Sequence, residues 1–378
     1  MASRFPSRLL IAAVALGRLA AGAPARLLRG RVAPVLPKRV LVLHQLLLGD
    51  TLMLSALLAR LREKYPQADI VMTCSPAQLP LYTARPWGVR TLASDERSVA
   101  TLWGLFKNGP YDLVLVPAEN RLAWLAAALG AKWIVAFSGD RPAYKNWLVD
   151  DMHPFSPTPI SWGDMAAQLA DAQAPRPFRR GDWPAPAQRP FAAPPTPYAV
   201  LHVGASSRLR HWSAERWREA ADYLQSRGFA VAITCGAGET ALISSIDPEQ
   251  RFHHYAGSLD LPQLWHLLRG ARLAVSLDTG IAHLARTAGT PVVVLFGPGS
   301  AQLFGGGNFF STVPERKVFV PDFFCRDENM IFRRHVIWAK HCGRTLDKCQ
   351  DPKCMHAIET GAVLSAIDEL LQLPAADK

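Results

Sequence analysis

The sequence predicts an α/β protein built from two doubly wound halves, each a parallel sheet wrapped by helices, facing one another across a cleft. Three observations predict it. Short apolar runs alternate with helical stretches from Arg39 to the C-terminal region, the pattern of strands joined by crossover helices. The rhythm occurs twice. Between the two occurrences lie eight prolines: Pro175, Pro177, Pro184, Pro186, Pro190, Pro194, Pro195 and Pro197. Such a stretch cannot donate to a ladder and stiffens toward polyproline II, so it reads as a linker. The 378 residues thus divide into a basic arm (1–38), a first half (39–174), a linker (175–197) and a second half (198–378).

Each element has a local reason. Arg39–His44 (RVLVLH) is a compact apolar strand, followed by a loop, Gln45–Gly49. From Asp50 to Tyr65, Leu52, Met53, Leu57 and Leu61 share one helical face, and Pro66 stops the helix. Asp69–Cys74, Leu113–Pro117 and Lys132–Phe137 are the next strands, with a helix around Arg121–Leu129. In the second half Tyr198–Val203 is a strand, and a helix runs from about Ser213 to Arg227, where Gly228 ends it. Phe229–Thr234, Leu273–Ser276 and Thr290–Phe296 are strands, while Leu261–Arg269, Gly280–Ala288 and Thr360–Leu373 are helices. Ligands of such sheets bind beyond the carboxyl ends of the strands.

Composition excludes several classes. No run of 18 uncharged apolar residues suits a polytopic membrane protein, and six cysteines are too few for a disulfide scaffold. The net charge of +11 is concentrated: residues 1–49 hold eight basic side chains and no acid, which leaves 11 − 8 = +3 for the rest. A near-neutral body argues against a nucleic-acid partner. The arm itself has three readings: a basic helix lying on an anionic inner-membrane surface, a bland leader, or a cleaved signal around Leu9–Leu16 and Ala20–Ala25.

Three loops at strand ends carry chemistry. In Leu48-Gly49-Asp50-Thr51, Gly49 permits a sharp turn and Asp50 stands at a helix N-terminus, either as its cap or as a carboxylate aimed into the cleft. In the loop from Gly204 to Ser213, Ser206, Ser207, Arg208 and Arg210 could hold phosphate oxygens or simply be solvated. In Ser276-Leu-Asp278-Thr279-Gly280-Ile-Ala-His283-Leu284, a buried strand gives way to a helix whose first turn is a natural anion site. His283 there is either a ligand-facing group or a satisfied core histidine.

Together, LGD after the first strand, a basic residue before His-Trp, and D-T-G-x-x-H-L ahead of GTPVVVLFGP resemble glycosyltransferase family 9, the ADP-heptose:lipopolysaccharide heptosyltransferases. The resemblance covers about Arg39 to Leu373. It implies a GT-B fold, two Rossmann-like domains with the nucleotide sugar held mainly by the second. It implies inverting transfer of heptose from ADP-heptose to a lipid-linked inner-core acceptor of lipopolysaccharide, in the cytoplasm on the inner face of the inner membrane. Carried over by position, Asp50 beside Gly49 is the general base. Arg210 takes the place of a lysine that neutralises the leaving diphosphate. Asp278, Thr279, Gly280 and His283 match the donor-phosphate motif, Ser206 and Ser207 the hydroxyl pair, and Glu239 an acidic residue near the ribose. The chain departs from the family on the acceptor side, at Gln45-Leu-Leu-Leu48, at Ala56 and in the long segment Phe319–His341.

No Asp-x-Asp stands at a strand end, so neither a metal nor a cofactor is expected; the nucleotide sugar is a substrate. Cys325, Cys342, Cys349 and Cys354 are spaced C-x16-C-x6-C-x4-C, which reads as reduced thiols ahead of a disulfide or zinc site. Cys74 and Cys235 read as core. A dehydrogenase is a poor rival, because Gly236-x-Gly238 lacks the third glycine of the dinucleotide fingerprint. The alternatives are a family-9 enzyme with another donor or acceptor, and a non-catalytic nucleotide-binding assembly protein at the membrane surface.

Overall fold

The structure, a computed structural model, describes residues 9, 11–18, 20, 32–95 and 98–374. The first half contributes strands β1 (Arg39–Val42), β2 (Asp69–Cys74), β3 (Arg90–Ala93), β4 (Leu113–Val116), β5 (Trp133–Phe137) and β6 (Asp151–His153). Its helices are α1 (Leu48–Met53), α2 (Ser55–Lys64), α3 (Val99–Lys107), α4 (Leu122–Ala128) and α5 (Trp162–Ala167). The second half contributes β7 (Tyr198–His202), α6 (Ala214–Ser226), β8 (Ala230–Cys235), α7 (Thr240–Ile246) and β9 (His253–Ala256). Then follow α8 (Leu261–Gly270), β10 (Leu273–Leu277), α9 (Gly280–Ala288), β11 (Val292–Leu295) and β12 (Glu315–Val318). A small hairpin, β13 (Met330–Ile331) and β14 (Arg334–His335), precedes α10 (Lys353–His356) and α11 (Thr360–Leu371).

The two large sheets repeat one topology. Their orders are β3-β2-β1-β4-β5-β6 and β12-β11-β10-β7-β8-β9, with every neighbouring pair parallel. Counted from its own first strand, each sheet reads 3-2-1-4-5-6. Chain direction across the sheet therefore reverses between β1 and β4, and again between β7 and β10. Loops diverge at these two switch points, leaving a crevice at each. The central strands are buried along their whole length, which is why they read as continuous apolar runs rather than alternating ones.

Three expectations need correction. The helix expected from Asp50 to Tyr65 is two helices, broken at Leu54, and it begins earlier, at Leu48. Leu52, Met53, Leu57 and Leu61 are all buried as their spacing predicts. The strands β3, β6, β9 and β12 escape sequence reading because they are short edge or near-edge strands of mixed polarity, such as DMH and ERKV. The proline-rich stretch is no free spacer. Phe178 and Trp183 within it are buried in the core that joins the halves, with Trp183 against Tyr82 (ring centroids 5.1 Å apart) and Phe178 against Phe310 (5.1 Å). Two aromatic side chains bury enough apolar area to tie the segment down despite its prolines.

Residues 11–18 of the arm are helical, and Ile11 and Ala15 are buried against the first half. Most of the arm, 1–8, 10, 19 and 21–31, lies outside the described residues, and with it most of the surface-helix and signal readings. Among the described residues no helix is long and apolar enough to cross a membrane. All six cysteines are free thiols; Cys74 and Cys235 are buried on β2 and β8.

Candidate active site

The site is assembled from loops at the two switch points. Asp50 follows β1, Arg210 follows β7, and Asp278 to His283 follow β10. β1 belongs to the first sheet and β7 and β10 to the second, yet α1 and α9 meet directly. A Cβ added at Gly280 would lie 3.0 Å from the Leu48 side chain, and one at Gly49 would lie 3.0 Å from the His283 ring. Ordinary carbon contacts sit near 3.5–4.0 Å, so the absence of both side chains is what lets the two helix N-termini cross. The close approach sets Asp50 beside the first turn of α9.

Asp50 is not a cap. The N-cap position of α1 is Leu47, which makes no side-chain cap bond, and Asp50 lies in the first turn. Its carboxyl is pushed up to about 6 by desolvation and by the neighbouring Asp278 carboxylate, with Arg210 pulling the other way. A carboxyl raised into this range is basic enough to take a proton near neutrality and is still largely ionised there.

Arg210 is anchored by donating from Nη1 to the Asp278 carbonyl at 2.6 Å. This places its guanidinium beside the N-terminus of α9. Asp278 is buried, and desolvation raises its carboxyl although Arg210 and Arg286 oppose the shift. Thr279 caps α9, its hydroxyl oxygen accepting from the Ile281 N–H at 3.3 Å. The helix runs over nine residues to a left-handed Gly289 (φ 71°), so its first-turn N–H groups form one coherent positive end.

His283 is a core histidine. It is buried, and Arg286 Nη1 donates to its Nδ1 at 2.6 Å. A guanidinium can only donate, so the imidazole is neutral and carries its proton on Nε2. Burial, then Arg286 and Arg210, hold it well below the usual histidine range. The Nε2 atom lies on the Gly49 side, 3.5 Å from a Cβ position there. Arg286 is held in turn by Glu315. Sequence reasoning missed Arg286, although its i, i+3 spacing from His283 was a usable signal.

The other predicted residues fall differently. Ser207 is a local cap whose hydroxyl accepts from the Leu209 N–H at 3.3 Å, and Ser206 is exposed. Both oxygens of Glu239 are engaged by backbone: Ala205 N–H donates to Oε1 at 2.8 Å and Gly236 N–H to Oε2 at 2.9 Å. Glu239 therefore braces the loop after β7 against the loop after β8. Two further missed residues border the first switch point. Arg121 donates to Gln45 Oε1 at 3.0 Å and to Glu119 Oε2 at 2.6 Å, bridging the loops after β1 and β4. His44 is fully buried at the end of β1, and desolvation lowers it to about 3.

Two parallel Rossmann-like sheets of identical topology, with a basic side chain and a helix N-terminus on one wall and a carboxylate on the other, define a GT-B glycosyltransferase. The chain belongs to glycosyltransferase family 9 (heptosyltransferase), whose family model matches residues 99–313. It is 28% identical over 285 residues to lipopolysaccharide heptosyltransferase 1 of Pseudomonas aeruginosa, covering 69% of this chain and 79% of that one. It is 23% identical over 278 residues to the lipopolysaccharide core heptosyltransferase OpsX of Haemophilus influenzae, covering 69% and 79%. Among solved structures, a glycosyl transferase family 9 protein from Veillonella parvula superposes with a TM-score of 0.67 at 15% identity over 88% of this chain and 97% of that one. The E. coli heptosyltransferase WaaC with ADP superposes at 0.65 and 17% identity over 88% and 99%.

Proposed function

We propose that this enzyme is an inverting heptosyltransferase that moves heptose from ADP-heptose to a lipopolysaccharide inner-core acceptor. Asp50 is the general base. The observation that carries this reading is the position of Asp50, raised to about 6 opposite Arg210 and the α9 N-terminus. The acceptor hydroxyl binds on the first half, and its proton passes to the Asp50 carboxylate as the oxygen attacks the anomeric carbon from the face opposite the leaving group. The C–O bond to the diphosphate breaks with oxocarbenium character, as in other glycosyl transfers. Negative charge then builds on the diphosphate, where Arg210, the first-turn N–H groups of α9 and the His283 Nε2–H receive it. Because these groups are held by Asp278, Thr279 and Arg286 before substrate arrives, little reorganisation is needed in the transition state. Arginine and helix dipole do the work that a divalent cation does elsewhere, so neither metal nor cofactor is required.

The lipid-linked acceptor places the reaction in the cytoplasm, at the inner face of the inner membrane. The acid-free run of eight basic residues in 1–49 supports attachment to anionic lipid. Trp103 and Trp147, both more than half exposed on the first half, suit the headgroup layer.

Calorimetry with ADP, UDP, GDP and ADP-heptose, with and without EDTA, tests the donor assignment. Selective, EDTA-insensitive binding of ADP and ADP-heptose is expected. Preference for UDP or GDP would remove heptose from the reading, and loss of binding in EDTA would remove the metal-free mechanism.

A further inference from the structure

A cavity lies at the edge of the second sheet opposite to Arg210 and Asp278. Its walls come from the residues just before β7, β10 and β11 (Pro197, Arg272 and Pro291) and from the proline-rich stretch. It therefore opens beyond the amino ends of those strands, whereas Arg210 and Asp278 follow carboxyl ends. Its volume is about 660 Å³, within the range of small-ligand sites. Tyr198 forms part of the wall, its hydroxyl fixed by donating to the Leu267 carbonyl at 2.7 Å.

Arg180, Arg269 and Arg272 line the cavity, and its described lining residues include no Asp or Glu. All three side chains belong to half-buried residues. Arg180 donates to the Arg269 carbonyl at 3.0 Å, and Arg269 Nη1 donates to the Ala288 carbonyl at 2.9 Å. Arg272 bonds only through Nη2, to the carbonyls of Leu370, Leu371 and Leu373 at 3.3, 2.9 and 2.5 Å. These carbonyls end α8, α9 and α11, so one side of each guanidinium serves as a helix C-terminal cap. Capping leaves the other side unexplained. Among the described residues, every hydrogen bond of Arg269 and Arg272 goes to a carbonyl and none to a carboxylate. Arg272 Nη1 is buried without a hydrogen-bond partner there. Burial and the neighbouring Arg180 charge push Arg269 down to about 10. Like charges gathered away from water are costly without a counter-charge.

We propose that this cavity binds a phosphate group, carried by a free oligophosphate or by a lipid, between Arg269 and Arg272. Guanidinium forks match phosphate oxygens, and the Pro197, Pro291 and Tyr198 walls take the apolar part of the carrier. The cavity and the Arg210 site stand at opposite ends of α9. Arg269 holds the carbonyl of Ala288, the last residue of that helix, and a Cβ at Gly289 would lie 2.6 Å from Arg180 Cγ. Nine helical residues, about 13 Å, separate the two ends. The inference therefore does not depend on the transferase reading.

The experiment is a phosphorus NMR titration of the full chain, saturated with ADP to fill the Arg210 site, using pyrophosphate and dihexanoyl phosphatidic acid. At least one is expected to bind saturably, and the one preferred tells a free anion from a lipid headgroup. Arg269→Gln and Arg272→Gln should each weaken it about 3- to 10-fold, the range of a charge-assisted bond near the surface. Both arginines also hold helix ends, so Ala193→Glu is the second variant. Ala193 is an exposed wall residue; a carboxylate there supplies the counter-charge and leaves every arginine bond in place. It should weaken the preferred ligand about tenfold, with ADP affinity unchanged. Saturable binding of neither ligand, or undiminished binding by Ala193→Glu, would overturn the site. Failure of the parent to bind ADP would overturn the donor reading alone, and the comparison of parent with Ala193→Glu would still decide the cavity.

Discussion

Asp50→Asn separates the catalytic and structural consequences of one half-buried charge. An aspartate carboxyl ordinarily titrates near 3.8, and in the folded protein Asp50 is raised to about 6. At about 1.36 kcal/mol per tenfold change in proton affinity, ionising it in the folded state costs about 3 kcal/mol relative to the unfolded chain. The sign follows from the direction. A carboxyl raised on folding contributes its stabilisation fully below about pH 4 and loses it as pH rises through about 6. Asparagine is neutral throughout, so the variant should be the more stable protein at pH 7.5 by up to about 3 kcal/mol, a melting-temperature gain on the order of 5 °C. The two proteins should converge below about pH 4. The same substitution should cut turnover by about 10²–10⁴-fold while ADP binding is kept, and the parent's kcat/KM should climb through about pH 6. Thermal melts at pH 4 and 7.5 beside a transfer assay read all of this. A variant less stable at pH 7.5 would mean that the carboxylate is satisfied rather than stranded. Undiminished turnover would remove Asp50 from proton transfer.

Three further predictions bear on the same machinery. Arg210→Ala should weaken ADP about 10-fold or more and reduce turnover further, since the guanidinium meets charge that grows in the transition state; calorimetry and single-turnover rates distinguish the two effects. Gly280→Ala should force Leu48 aside, part α1 from α9 and lower turnover more than ADP affinity. Adding Leu48→Ala should recover part of the loss, and a strictly additive double variant would argue that the two do not touch. Arg334→Ala strands Ser138, Ala118, Asn120 and Phe137 acceptors in a buried place and should destabilise the protein by about 3 kcal/mol or more, read by denaturant unfolding.

Much of the architecture is legible in the chain because local physics decides it. Short continuous apolar runs rich in valine, such as LVLVP, read as buried parallel strands, and their repetition about a proline-rich stretch announces two sheets. Asp50, Arg210, Asp278, Thr279 and His283 are legible for a related reason. Each stands within eight residues of a strand's carboxyl end, where short-range sequence order alone places a residue near that edge. Edge strands such as Asp151–His153 are not legible, because three residues of mixed polarity carry no period.

Residue identity and order along the chain determined two parallel sheets, the loops that leave them and the candidates that those loops carry. Only the tertiary structure decided what faces what. That α1 and α9 cross at Gly49 and Gly280, that Asp50 is charged against Asp278 and Arg210 rather than spent as a cap, and that Arg334 pins a distant hairpin to the first half are contacts over more than a hundred residues of chain. Glycine and arginine carry no local pattern that names a partner so far away. Their effect comes from desolvation and close approach, which exist only once both sheets are packed.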